Sequence, residues 1–229
     1  MKIGFIGLGK LGQDAAEVLN EKHDVVGYDP NITLEISGTQ EEACKGKDVV
    51  LVAVQTPHDP KYGGETPTSH LEPKDFDYSY LIQAVKDVDA LVDEGTLISV
   101  ISTVLPGTVR REVLPLIKRG KFIYNPYLIA QGTVKWDMRN PEMIMIGTES
   151  GKDDEQSQTL RKVYDPILQK NTRYEIGTWE EIEALKVFYN TFITTKLCLV
   201  NMIQDVAMKV GHMNVDVVTK ALKHSTHRI

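Results

Sequence analysis

The 229 residues carry 32 acidic and 26 basic side chains, a formal charge of −6 and a pI near 5.6, without the Lys/Arg surplus that nucleic acid demands. A nucleotide ligand is still compatible, because its phosphates can rest on backbone N–H groups. With 41% hydrophobic and 25% charged residues the composition is globular, no apolar run approaches a membrane span, and two distant cysteines, Cys44 and Cys198, fit a reducing cytoplasm rather than a disulfide framework.

In chain order, strands alternate with helices. KIGFIGL reads as a first strand rather than a leader, and LGQDAAEVLN as a helix. DVVGYD is a second strand, and DVVLVAV (48–54) is the continuous apolar run of a strand buried on both faces. A loop from Thr56 to Phe76 holds Pro57, Pro60, Pro67, Pro73, Gly63 and Gly64; at that length it is a functional loop or lid, or else an insertion without a role. Residues 77–92 read as a helix, TLISVIS (96–102) as a buried strand, and Pro106 opens a further helix. KFIYN and MIMIG are strands, a helix covers 153–169, and TRYEIG follows. This rhythm predicts an α/β fold with a doubly wound, Rossmann-like parallel sheet.

From Trp179 to Val210 apolar residues recur at three- and four-residue steps, which predicts one long helix stopped by Gly211. A second helix starts near Val215 and runs on to Ile229. The division expected is a dinucleotide-binding domain over 1–177 and, over 178–229, the long helix with the start of a helical dimerisation domain.

The chemistry begins at Gly7, Gly9 and Gly12, a G-x-G-x-x-G between a strand and a helix. The first glycine permits the tight turn, the second lets the backbone approach a pyrophosphate, and the third lets helix pack on strand. Leu8, Lys10 and Leu11 complete the phosphate loop. Asp29 closes the second strand about 20 residues on, where a carboxylate accepts ribose hydroxyls and repels a 2′-phosphate. No Arg follows it closely, so the cofactor expected is NAD rather than NADP, and no metal is expected.

Three later segments narrow the family. VAVQTP (52–57), ISTVLPGTVR (101–110) and NPYLIAQGTVKWDMRNPEMIMIG (125–147) stand in order, and ALKVFYNTF places Asn190 four residues after Lys186. Together they resemble the UDP-glucose/GDP-mannose dehydrogenases from Met1 to about Val218. The resemblance implies oxidation of the primary alcohol of a nucleotide sugar, a UDP-sugar such as UDP-glucose, to the acid, with two hydride transfers to NAD. It implies that Gln55, Thr56, Pro57, Ser102, Thr103 and Gln131 contact cofactor. By the same resemblance Lys186 and Asn190 stabilise an oxyanion, Thr103 positions a water or the nicotinamide, and Tyr127 stands where the family has a catalytic Glu.

The departures are as specific. Tyr127 and Gln131 replace two family glutamates; a phenol is a poor base near neutral pH, whereas Gln131 can still bond a carboxamide. The family's Cys-x-Pro-x-Asp motif does not occur before Ile229, and neither Cys44 nor Cys198 fits its nucleophile, so the chain reads as a truncated product or a fragment. A non-catalytic NAD-binding module or degenerate paralogue is a second reading, and a β-hydroxyacid dehydrogenase, which also uses a helix Lys with an Asn four residues on, is a third. Apolar residues around the long helix predict a homodimer; the alternative is a second helix folded back over them within one chain.

Overall fold

The structure, a computed structural model, describes residues 1–224. Its seven strands are β1 (Lys2–Ile6), β2 (Asp24–Tyr28), β3 (Val49–Val52), β4 (Leu97–Val100), β5 (Lys121–Tyr124), β6 (Met143–Thr148) and β7 (Arg173–Thr178). They form one sheet in the order β2-β1-β3-β4-β5-β6-β7. The helices are α1 (Gly12–Asn20), α2 (Gln40–Cys44), α3 (Ser79–Leu91), α4 (Val134–Arg139), α5 (Glu155–Tyr164), α6 (Trp179–Val210) and α7 (Val215–Lys223). β3 and β4 are buried at every position, as strands covered on both faces by crossover helices must be. The sheet order reverses between β1 and β3, and that switch point is where an open α/β sheet receives ligands.

The sheet departs from the all-parallel expectation at one place. β5 and β6 pair antiparallel, through Tyr124 and Gly147, while the other pairs are parallel. The chain leaves β5 at its carboxyl end, makes the short α4 there, and enters β6 from the same end. No crossover intervenes, so the direction reverses. α4 is held to α1 instead, by Lys135 to Glu17 at 2.6 Å and by Arg139 to Glu21. The consequence is functional: residues 125–133 stay at the carboxyl edge of the sheet beside the switch point.

Two helix expectations are also revised. Pro106 opens no α-helix; Val109–Val113 forms a wide π-type turn and Leu114–Leu116 a 3-10 turn. Pro115 stands in the first turn of that 3-10 segment and has no N–H with which to continue a helical ladder. α5 ends at Tyr164, short of residue 169, where Pro166 follows in a 3-10 turn. The loop from Thr56 to Phe76 folds on itself. Asp59 caps the turn Pro60–Tyr62 and pairs with Lys74 at 2.7 Å, and the Tyr62 hydroxyl donates to the Glu72 carbonyl.

By contacts the chain divides into two compact units, Met1–Lys186 and a second beginning at Val187. In the second, α6 ends where Gly211 takes φ 81° and its N–H bonds to the Ala207 carbonyl. α7 ends at Lys223 with His224 as its cap, so the expected unbroken run to Ile229 stops there, and the residues beyond 224 lie outside the described ones. α7 does not cover the long helix: Phe188, Leu197 and Met202 are 65%, 60% and 58% exposed. Among the described residues no helix is long and apolar enough to cross a membrane.

Candidate dinucleotide and substrate cleft

The glycine loop joins β1 to α1 at the switch point, and each glycine meets a different constraint. Gly7 has φ 96°, and a Cβ there would lie 2.5 Å from the Ala53 carbonyl of the strand β3 exit. A Cβ on Gly12 would lie 2.0 Å from the Gly7 carbonyl. Gly9 differs: a Cβ would meet no protein atom within 4 Å. The fold therefore requires Gly7 and Gly12, whereas bare backbone at Gly9 serves approach from outside the fold. α1 begins at this loop without a side-chain cap; the Gln13 N–H bonds back to the Gly9 carbonyl at 3.1 Å, and the start of such a helix favours an anion.

Asp29 sits at the end of β2. One carboxylate oxygen accepts the Leu8 N–H at 2.9 Å and the other the Asn31 N–H at 2.8 Å. Each oxygen keeps a lone pair, which is what a ribose diol needs. The donors set by this chain thus fit a dinucleotide: backbone N–H groups for pyrophosphate and a fixed carboxylate for ribose.

Beside the loop lies a cleft of about 540 Å³. It brings together Gly9, Lys10, Leu11 and Gly12 with Gln55 and Thr56 from the end of β3, and with Ser102 and Thr103 from the end of β4. Tyr127, Gln131 and Lys186 complete it, along with the apolar Phe5, Ala53, Val54, Ile101 and Ile129, which were not foreseen. The two strand ends are stitched to each other: Thr56 Oγ1 donates to the Thr103 carbonyl at 2.7 Å, and Ser102 Oγ to the Val54 carbonyl at 2.5 Å. Those hydroxyl protons are already committed, so each side chain has only acceptor capacity left for a ligand. Gly7, Leu8 and Asp29 shape the loop from behind. Pro57 lies outside the lining, and its carbonyl accepts the Asp77 N–H. A larger depression of about 770 Å³ at Val25, Val26 and Glu35–Lys47 is wide open and gathers no comparable set of groups.

Lys186 is the principal ionisable group of the cleft. Its Nζ donates to the Tyr127 carbonyl at 2.7 Å, and burial lowers its pKa. Tyr127 itself is placed otherwise than its sequence position implied. Among the described residues its buried hydroxyl has no hydrogen-bond partner, its ring meets Tyr164 edge-on at 6.1 Å, and burial raises its pKa. The Tyr164 hydroxyl donates to Asn125 Oδ1, whose amide donates to the Met145 carbonyl at 2.7 Å. An aromatic side chain next to this core gains more by burial than a carboxylate could, so what Tyr127 offers a ligand is ring surface, while its main-chain carbonyl holds the lysine. Asn190 belongs to the second unit; it is exposed, and its carbonyl accepts from Thr194 Oγ1.

Glu183, one turn before Lys186, escaped the sequence reading. It is fully buried, and its carboxylate accepts the N–H groups of Gly107 at 2.5 Å and Val109 at 2.6 Å. Its signal was a carboxylate on the face of α6 that also carries Ile182. Cys44 is buried, with a thiol pushed up to about 11 by that burial, so it is inert as a nucleophile; Cys198 is exposed on the second unit. Among the described residues no group of His, Cys, Asp and Glu is placed to hold a metal.

Fold and site together define a Rossmann dinucleotide-binding protein. The family model for the UDP-glucose/GDP-mannose dehydrogenase family, NAD binding domain, matches residues 30–168, and the chain belongs to that family, with NAD as its cofactor. An uncharacterized protein of Methanocaldococcus jannaschii is 27% identical over 203 residues, covering 87% of this chain and 21% of that protein. A UDP-glucose 6-dehydrogenase of Rickettsia prowazekii is 28% identical over 149 residues, covering 64% of this chain and 33% of the enzyme. In fold, a GDP-mannose dehydrogenase from Pseudomonas aeruginosa, solved as a ternary complex, superposes with a TM-score of 0.78 at 23% identity, over 100% of this chain and 58% of that one. The chain spans only part of the length of each.

Proposed function

We propose that this chain supplies the NAD-binding half of an enzyme that oxidises the primary alcohol of a nucleotide sugar, with UDP-glucose the first substrate to test. The observation that carries the reading is the convergence of the glycine loop, the ends of β3 and β4, and Lys186 on one cleft. NAD, when bound, supplies the hydride acceptor. The chain's own residues do the rest. Gly9 and the start of α1 hold the pyrophosphate, Asp29 the ribose, and Gln55, Thr56, Ser102, Thr103 and Gln131 border the nicotinamide end. The Lys186 ammonium stabilises negative charge on the oxygen of the reacting carbon, and the resemblance implies Asn190 as a second donor. Two of the three relatives named above are nucleotide-sugar dehydrogenases by name, which supports the substrate class. The paired-free Cys44 and Cys198 support a cytoplasmic setting.

Tyr127 favours a second reading, an NAD-binding module without turnover. The position that the resemblance assigns to a catalytic Glu holds a phenol whose hydroxyl is buried and out of a ligand's reach. The assay that separates the two follows NADH absorbance with UDP-glucose, UDP-N-acetylglucosamine and GDP-mannose on the 229-residue protein. Because neither cysteine is suited to capture an aldehyde, NAD binding without sustained turnover to the acid is the result expected of this polypeptide alone. Sustained turnover would show that another group is the nucleophile, with Cys198→Ser the next variant.

We further propose that the second unit mediates a homodimer. Phe188, Leu197, Met202 and Met208, all more than half exposed, support this.

A further inference from the structure

The turn that follows Thr103 is held by side chains from two directions. From the N-cap of α3, the Tyr78 hydroxyl accepts the Leu105 N–H at 3.1 Å and the Thr108 hydroxyl at 3.2 Å, and it donates to Asp75. From α6, the Glu183 carboxylate accepts the N–H groups of Gly107 and Val109. Gly107 takes φ 88°, which aims its N–H and that of Val109 at one point. A turn of this kind makes a concave set of N–H donors suited to an anion, and here the anion is the protein's own carboxylate. Glu180 adds an exposed pair with Arg110 at 2.5 Å, whose value is small in water. Glu183 is the buried link and therefore the strong one.

Lys186 stands three residues after Glu183 on the same helix, on an adjacent part of the same face. We propose that Glu183 is a positioning residue: by fastening the first turns of α6 to the turn after Thr103, it sets the place of the Lys186 amine in the cleft. This rests on the reading of the cleft as the reaction site, but the mechanical claim concerns the chain's own residues. The amine depends on location for its character. It is partly desolvated and tied to the Tyr127 carbonyl, and a looser helix start returns it to water, where its pKa rises to the ordinary value. Burial raises the Glu183 carboxyl, the Val109 and Gly107 N–H groups act against that rise, and of the charges around it Glu180 adds to the rise while Arg111 opposes it.

The test is NMR of lysine side-chain nitrogens on the 229-residue chain without ligand, the Lys186 signal being identified by its loss in Lys186→Arg. Glu183→Gln leaves one carbonyl acceptor and points an NH₂ at the second N–H. The expected result is an upward move of the Lys186 midpoint by roughly half to one pH unit, about three- to tenfold in its protonation equilibrium. Glu183→Asp keeps both acceptors on a shorter stem and gives a smaller move in the same direction; it decides the matter should Glu183→Gln fail to fold. Tyr78→Phe loosens the same turn from the other side and is expected to lower Tm with Lys186 unmoved. An unchanged Lys186 midpoint in folded Glu183 variants, or an equal move in Tyr78→Phe, overturns the proposal in favour of a merely structural carboxylate. NAD titration of the wild-type chain is read separately, so failure of the functional reading would not be mistaken for failure of this one.

Discussion

At the residue scale, the glycine loop separates folding from binding. Gly12→Ala puts a methyl group 2.0 Å from a carbonyl oxygen of the backbone, which cannot be relieved by a side-chain rotation. It is expected to cost roughly 2–4 kcal/mol, the range of overpacked or strained core sites, measurable by urea unfolding. Gly9→Ala meets nothing within 4 Å, so the fold is expected to tolerate it within about 0.5–1 kcal/mol while NAD affinity falls about tenfold or more. Calorimetry and unfolding on the same two proteins check the contrast; loss of stability in Gly9→Ala with unchanged NAD binding would reverse the assignment. This much was legible in the sequence, because a glycine's backbone freedom is a local property and its motif sits between recognisable elements. Tyr127 was legible only as a departure. Which way its side chain turns depends on Tyr164 and the core behind it, 37 residues and several elements away in a fold that local pattern does not specify.

At the element scale, the first turns of α6 join the cleft to the sheet. Lys186 is partly buried with a lowered pKa, so the unfolded chain binds its proton more tightly than the folded one. Stability therefore rises with pH through the folded-state pKa and levels off near the ordinary lysine value of about 10.4. Lys186→Met, which keeps the length and removes the charge, is expected to be more stable than the wild type near neutral pH, with the gap closing as pH rises; denaturant melts across that range measure it. A gap that widens with pH would contradict the burial argument. A second carboxylate, Asp89 on α3, is 4% exposed and accepts the N–H groups of Lys118, Arg119 and Gly120 ahead of β5. Asp89→Ala strands three donors, and a loss of about 3–5 kcal/mol in unfolding free energy is expected, as for a buried charged network that loses one partner. Neither Glu183 nor Asp89 was readable from sequence, since each bonds to backbone roughly 30 to 75 positions away. The strands were readable, because burial on both faces writes itself as an apolar run, unbroken at 49–52 and interrupted only by the buried Ser99 at 97–100. The direction of β6 was not, because pairing sense is fixed by where the connection runs. α4 keeps that connection at one end of the sheet.

At the scale of the whole molecule, the long helix was legible from its period and its glycine stop, and its exposed apolar face remains after α7 is in place. Light scattering over a range of concentrations is expected to show a dimer, and Leu197→Glu, a charge on that face, to shift it toward monomer. A wild-type chain that stays monomeric at high concentration would remove the interface from the account. The central claim, however, is that the first unit is an NAD site, and titration calorimetry with NAD and NADP on the 229-residue protein tests it most directly. Asp29, fixed by the Leu8 and Asn31 N–H groups, accepts a ribose diol and repels a 2′-phosphate. Measurable NAD binding is expected, with NADP weaker by about tenfold or more, the worth of one uncompensated charge contact; no binding, or NADP binding as tight as NAD, would contradict an NAD site here.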